Sequence, residues 1–176
     1  MADGIKLKLI PASMVFVAAL VGCEKIIDAE QLQDRQGIGY EVNSTEPFTG
    51  TVISRYENGQ KKSEGNFVAG KPEGIDSRWY EGGQKKLQAR WAAGQLEGIA
   101  TKWNENGQKK SEANYVSGQR DGVQITWHEN GQKQSEGNFV AGKEDGIHTY
   151  WRKDGSLIKR IKYVGGDDVT DEENGL

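Results

Sequence analysis

The chain has few of the residues that build a disulfide-stabilised fold or a thick globular core. Of its 176 residues, only one is cysteine, three are proline and 35% are hydrophobic. A lone cysteine cannot form an internal disulfide, so no covalent cross-link holds the fold together. The low apolar content and the modest length leave no room for a second independent core.

The chain also lacks the excess of positive charge that is typical of nucleic-acid-binding proteins. Its formal net charge is −3, with 23 Lys and Arg against 26 Asp and Glu, which argues against a nucleic-acid partner. Glycine, by contrast, is abundant at 24 residues, and this content favours turns over helices. Composition alone therefore predicts thin β structure.

Residues 1–22 have the pattern of a signal peptide, in which Lys6 and Lys8 precede an apolar stretch over residues 9–21. As a helix this stretch would cover about 20 Å, which is too short for a hydrocarbon core of about 30 Å. The residues Leu-Val-Gly-Cys at 20–23 resemble the bacterial lipobox. That resemblance implies that Cys23 is lipidated and becomes the mature first residue. Glu24 next to it implies the outer membrane, with the protein facing the periplasm.

Two segments that flank the central part of the chain lack a clear periodicity. Residues 23–45 carry mixed charge, and we predict a short helix or tether there between the lipid and the rest of the chain. Residues 167–176 hold five acids and no base, which predicts a disordered acidic tail. An uncleaved anchor or an inert cysteine is the alternative interpretation of the leader.

The central part, residues 46–166, repeats itself every 24 residues. The predicted units cover about 51–74, 75–98, 99–122, 123–146 and 147–166. Each unit contains a turn of the type Glu-Asn-Gly, whose glycines are Gly59, Gly83, Gly107, Gly131 and Gly155. A repeat this regular predicts an array of identical structural units.

Each unit reads as a β-hairpin. Before the turn, Ile75, Ser77 and Trp79 alternate with polar residues, which is typical of a half-buried strand, and small and aromatic residues again alternate after the turn. A type I turn with its glycine in the left-handed conformation would pair residue 79 with 85, 77 with 87 and 75 with 89. In that register Trp79 and Trp91 share one face, whereas a two-residue loop would separate them.

Residues 56–74, Tyr-Glu-Asn-Gly-Gln-Lys-Lys-Ser-Glu-Gly-Asn-Phe-Val-Ala-Gly-Lys-Pro-Glu-Gly, resemble the bacterial variant of the MORN repeat, and more closely the YwqK family. The resemblance covers roughly residues 46–166. It implies an all-β fold, a single-layer antiparallel β-meander of five 24-residue hairpins, used for protein or membrane contact. Members of the YwqK family are often described as antitoxins, so neutralisation of a cognate toxin is a second implied function. The export leader departs from a cytoplasmic antitoxin.

The aromatic rows are the best candidate for a partner-binding site, because Trp and Tyr are enriched in interface hot spots. The candidate residues are Trp79, Trp91, Trp103, Tyr115, Trp127 and Trp151. The alternative is that these rings stack on one another as the only core of the array. Lysine pairs after the turns, such as Lys61 with Lys62, would form a ladder along one edge, either a solvated edge or a surface for anionic headgroups.

No set of residues points to catalysis. His128 and His148 fall at different repeat positions, and no Cys or His pair has metal-ligand spacing. Carboxylates such as Glu57 and Glu81 recur with the turn, which indicates turn chemistry. We therefore predict a lipoprotein that is not an enzyme, that uses no metal or cofactor, and that binds the membrane through Cys23 and another protein through its repeats.

Overall fold

The computed structural model of the chain describes residues 24–170. The predicted signal peptide, Cys23 and residues 171–176 of the predicted acidic tail lie outside the described residues. Between residues 24 and 170 no helix is long and apolar enough to cross a membrane. This part of the chain consists of short strands and a single turn of 3-10 helix.

The elements follow one another in this order. They are β1 (Ile26–Asp28), the 3-10 turn (Ala29–Gln31), β2 (Leu32–Arg35), β3 (Ile38–Glu41), β4 (Gly50–Arg55), β5 (Lys61–Val68), β6 (Lys71–Trp79), β7 (Lys85–Ala92), β8 (Gln95–Leu96), β9 (Gly98–Trp103), β10 (Lys109–Val116), β11 (Gln119–Trp127), β12 (Lys133–Val140), β13 (Lys143–Trp151), β14 (Leu157–Val164) and β15 (Asp167–Asp168).

All strands except β2 and β3 belong to one sheet. From β4 onward the order in the sheet follows the order in the sequence, and every pair is antiparallel. The two-residue strand β8 pairs with the end of β7, and β9 is the next full strand beside β7. The predicted all-β meander of hairpins is therefore confirmed. One pair departs from it, because β1 lies parallel to β4 at the N-terminal edge of the sheet.

Each hairpin turns through the same three positions. In the first, the Gly59 N–H donates to the Tyr56 carbonyl at 2.9 Å and the Tyr56 N–H donates to the Gln60 carbonyl at 2.8 Å, so residues 57–59 form the loop. Gly59 has a φ of +84°, which glycine adopts without steric strain. The side chain of Asn58 accepts the Gln60 N–H at 2.9 Å. This is the type I turn with a left-handed glycine that the repeat motif predicts.

The strand register agrees with the prediction only next to this turn. Trp79 pairs with Lys85 as predicted, but Ser77 pairs with Gln88, one position beyond its predicted partner, and Ile75 is shifted by the same amount. The shift lies in the second strand, where one residue has no partner across the ladder. The predicted register is therefore wrong beyond the first pair.

The bulge recurs in every hairpin and decides which side chains share a face. The unpaired residues are Lys62, Lys86, Lys110, Gln134 and Ile158. As a result Trp91 pairs with Gly74, which lies an odd number of residues from Trp79. Because successive side chains of a strand point to opposite faces, Trp79 and Trp91 lie on opposite faces. The prediction that they share one face is wrong.

Two-residue turns join each hairpin to the next. Ala93 and Gly94 have φ values of +48° and +87°, which defines a type I′ turn that suits the twist of antiparallel strands. The preceding unit holds this turn in place. Glu73 accepts the Ala93 N–H at 2.8 Å, and the Pro72 carbonyl accepts the Gly94 N–H at 2.9 Å. Ala69, Ser117 and Ala141 also have positive φ at the equivalent position.

The segment before the repeats is folded, in contrast to the predicted helix or tether. Strands β2 and β3 form a small hairpin of their own. Ile27 from β1 is buried with Phe48 and Val52, in a cluster that Leu32 and Phe67 also contact. Residues 26–48 therefore cover the first hairpin of the array with apolar side chains.

The opposite end of the sheet is less covered. Asp167 and Asp168, the first two residues of the predicted disordered tail, pair with Val164 and Tyr163 and so belong to the sheet. The rest of β14 has no neighbouring strand on its outer side among the described residues.

Candidate functional site: the two faces of the sheet

The register divides the side chains of the sheet between two faces. We name them the packed face, which bears Arg78, Ala89 and Trp91, and the open face, which bears Ile75 and Trp79. Equivalent residues of the other units lie on the same face, because the register repeats from hairpin to hairpin.

The packed face holds the larger share of the buried side chains. Ala89 is 3% exposed and His148 is 4% exposed. The rings of Phe139 and Tyr163 contact the imidazole of His148 edge-on, with centroids 5.3 and 4.8 Å from its centroid. Two of the predicted partner-binding residues, Trp91 and Tyr115, lie on this face and are half-buried. Much of their surface is therefore withdrawn from solvent.

Side chains on the packed face also tie each unit to the next. The hydroxyl of Tyr56 donates to the Trp79 carbonyl at 2.7 Å, and an equivalent bond joins the following two units. His128 takes the same position, with Nε2 2.9 Å from the carbonyl oxygen of Trp151. Asn104 occupies this position in the third hairpin, and its Nδ2 is buried without a partner.

On the open face the tryptophans form a row of half-buried rings. The members of this row are Trp79, Trp103, Trp127 and Trp151. A lysine of the preceding hairpin covers three of them, as where Lys61 Nζ lies 5.4 Å from the centroid of a Trp79 ring. Lys61 also forms an ion pair with Glu64. Lysines of the chain itself therefore cover part of the surface of these tryptophan rings.

Sequence reasoning missed the most exposed apolar residues of the open face. One row of aliphatic side chains consists of Ile75, Ile99, Val123 and Ile147, which are between 44% and 61% exposed. A second row consists of Val68, Val116, Val140 and Val164, between 46% and 57% exposed. Their recurrence at the 24-residue period was visible in the sequence, but the period does not reveal which face stays uncovered.

The two lysines that follow each turn separate onto different faces. Lys61 lies over Trp79 on the open face, whereas Lys62 Nζ lies 5.6 Å from the ring centroid of Tyr56 on the packed face. The bulge causes this separation, because it inserts the second lysine between paired positions. The lysines do not form the single ladder along one edge that the sequence suggested.

Residues that could carry chemistry do not converge within the described part of the chain. His148 Nε2 lies 2.7 Å from the Asn138 carbonyl oxygen, so both histidines contact backbone carbonyls. Residues 24–170 contain no group of three His, Cys, Asp or Glu side chains that could hold a metal ion.

The pKa shifts in the last unit have structural causes. Burial raises the pKa of the Tyr163 phenol. Hydrogen bonds from Ser156 hold the pKa of the Asp154 carboxyl below its ordinary value. Asp154 accepts the Ser156 N–H at 2.8 Å, just as the turn asparagine does in the first hairpin.

Three segments of the chain match the family described as the MORN repeat variant, namely residues 48–69, 96–117 and 120–141. Each matched segment is one hairpin that ends at the first residue of a type I′ turn. The hairpins β6–β7 and β13–β14 have the same turn and bulge as the three matched hairpins. No curated protein matches the chain.

Proposed function

We propose that the protein is a lipid-anchored bacterial envelope protein whose MORN-variant sheet is a non-catalytic scaffold that binds another protein through its open face. The observation that carries the proposal is the pair of aliphatic rows. Eight large aliphatic side chains share one face and are each close to half exposed or more, whereas soluble monomers rarely expose apolar patches of that extent.

The spacing of the rows indicates what kind of partner fits. Successive hairpins lie about 9.6 Å apart, so the four side chains of one row extend over roughly 29 Å. Full burial of one Val or Ile side chain contributes about 1.5–3 kcal/mol. Because these side chains are already partly buried, binding can gain only the share that corresponds to their exposed surface. Several contacts are therefore needed, and a partner with an extended apolar surface fits best. The tryptophan row beside them would supply ring edges to the same interface.

The anchor rests on the leader sequence. Lipidation of Cys23 after cleavage would place the scaffold at the envelope, and Glu24 favours the outer membrane facing the periplasm. Labelling cells with a radioactive fatty acid tests this directly. We expect label on the wild-type protein and none on Cys23→Ser, and membrane fractionation then separates outer from inner membrane. An unlabelled wild-type protein would remove the anchor from the proposal.

Site-specific photocrosslinking in the native cells tests the docking face. A photoreactive residue at Ile99 or Val123 should give one dominant protein adduct, whereas the same residue at Val42, exposed but outside the repeats, should not. The adduct should disappear when Ile75 and Ile147 are both changed to Ser. An adduct of equal yield at Val42 would contradict docking through the open face.

The tryptophan row needs its own test, because its rings are half-buried. Changing Trp103 and Trp127 to Ser should reduce the adduct formed at Ile99 while the circular dichroism spectrum stays that of the wild type. If these changes unfold the sheet, the row belongs to the core of the array, and the aliphatic rows alone form the docking face.

A further inference from the structure

A continuous line of paired residues crosses the packed face near the three-residue turns. Starting in β5, Ser63 pairs with Arg78, Arg78 with Leu87, Leu87 with Lys102 and Lys102 with Ser111. These positions therefore lie side by side across five consecutive strands of the sheet. The bulge places a lysine next to this line in every second strand.

The result is one cation on each of the five strands. We call this set the basic track, and it consists of Lys62, Arg78, Lys86, Lys102 and Lys110. With neighbouring strands about 4.8 Å apart, the track is roughly 19 Å long. The equivalent positions of the next two strands are Thr126 and Gln134, so the track ends at β10.

The track is poorly neutralised by the protein itself. Asp76 is the single acidic side chain of the packed face on strands β5 to β10, and it pairs with Arg78 at 3.3 Å. Within residues 24–170 no carboxylate lies at ion-pair distance from the four lysines of the track. Like charges on neighbouring strands lower stability.

The open face provides the contrast. There the first lysine of each pair has a partner, as in the ion pair of Lys109 Nζ with Glu112 at 2.6 Å. Lys61 and Lys133 pair with Glu64 and Glu136 in the same way. In the pairs Lys61/Lys62 and Lys109/Lys110 the first lysine is thus neutralised and the second is left charged on the packed face, whereas Lys85 donates to the uncharged amide of Gln88.

We propose that the basic track binds an extended, acidic segment of another protein, at a site separate from the open face. An extended chain advances about 3.3 Å per residue, so the track accommodates roughly six residues. A segment rich in Asp and Glu would neutralise the aligned cations one by one. Ser63 and Ser111, which lie between them, would supply hydroxyl donors.

Two other polyanions fit the track less well. Single-stranded nucleic acid binds through aromatic rings that are free to stack on bases, but Lys62 and Lys86 cover the rings of Tyr56 and Tyr80. A flat anionic membrane would also approach the exposed carboxylates of the adjoining turns. These are Glu57, Glu81 and Glu105, and they would repel it, whereas a narrow peptide lies on the face without meeting them.

The test measures binding of a fluorescent hexaglutamate peptide to the full-length protein by anisotropy, at low and at physiological salt. The track variant changes Lys62, Lys86, Lys102 and Lys110 to Gln. The matched control changes Lys61, Lys85, Lys109 and Lys133 to Gln and removes the same charge from the open face. We expect the track variant to weaken binding at least about tenfold and the control by less than about threefold.

Two outcomes with a folded variant decide against the proposal. Equal weakening in both variants would mean a response to net charge alone. Preference for phosphatidylglycerol vesicles or an oligothymidylate over the peptide, lost in the same variant, would assign the track to another polyanion. If the quadruple variant fails to fold, Lys102→Gln alone should still weaken peptide binding by about two- to threefold, and unchanged binding would overturn the inference. None of these readouts depends on the crosslinks at the open face.

Discussion

Ala113 on the packed face is 9% exposed, whereas Ile99, on the open face of the neighbouring strand, is 60% exposed. The larger apolar side chain is the more exposed one. On the packed face the His148 ring fills the space beside Gly137, whereas the aliphatic rows of the open face stay about half exposed. Burial of apolar side chains in this array therefore depends more on the face than on the size of the residue, although the polar Thr101 is buried on the open face, where it donates to Glu112.

The largest expected loss of stability comes from a charge introduced at Ala89 on the packed face. Ala89→Glu should lower the free energy of unfolding by about 3–5 kcal/mol, because it places an unpaired carboxylate in the most covered position of the packed face. Ile99→Glu should change it by less than about 0.5 kcal/mol. Urea denaturation of both variants measures the difference, and similar losses would mean that the faces are equally covered.

Removal of a ring at the N-terminal end should have the next largest effect. Phe48→Ala should cost about 3 kcal/mol, because it leaves a cavity among Ile27, Val52 and Phe67. Ile26→Ala, at an exposed position of the same strand as Ile27, is the control and should cost much less. Thermal melting reports both, and a neutral Phe48→Ala would show that the contact of Ile27 with Phe48 contributes nothing to stability.

The hydrogen bond that joins successive units is missing at Asn104 and can be restored there. Asn104→Tyr should raise the free energy of unfolding by about 1 kcal/mol, because the phenol can donate to the Trp127 carbonyl as Tyr56 does to that of Trp79. It also removes the unpaired Nδ2 of Asn104. Asn104→Phe lacks the hydroxyl and should gain less, and equal gains would assign the effect to the ring alone.

The smallest expected change in the free energy of unfolding comes from the type I′ turns. Ala93→Asn should stabilise the protein by about 0.5–1 kcal/mol, because alanine is strained at a φ of +48° and asparagine tolerates that conformation. The neighbouring change Ala92→Asn, in β7, should give no gain. Chemical denaturation measures both, and stabilisation by Ala92→Asn instead would contradict strain at the turn.

The repeat period, the all-β fold and the turn could be predicted because they depend on local residue types. Asn-Gly motifs and alternating side chains specify a hairpin without reference to the rest of the chain. The bulge at Lys86 could not be predicted, because two successive lysines give no signal of which one leaves the ladder. Since that one residue sets the parity of the second strand, the assignment of Trp91 to a face failed with it.

The candidate sites, too, could be predicted from the sequence only in part. The aromatic rows were recognised from spacing, but whether a row is covered depends on the neighbouring units and on contacts such as that of Lys61 with Trp79. Strand β1 was missed because three residues carry no periodicity, and its partner β4 lies more than twenty residues away. The basic track joins residues of five strands and becomes visible only when the register is known.

The turn-to-turn bonds, such as that of the Gly94 N–H with the Pro72 carbonyl, connect each unit to its neighbour and to no other. Duplication of one 24-residue unit in the gene would therefore lengthen the sheet by about 9.6 Å without rebuilding any existing contact. The number of units therefore sets the length of the sheet. Sheet length could thus change in evolution in fixed increments while the internal contacts of each unit stayed the same.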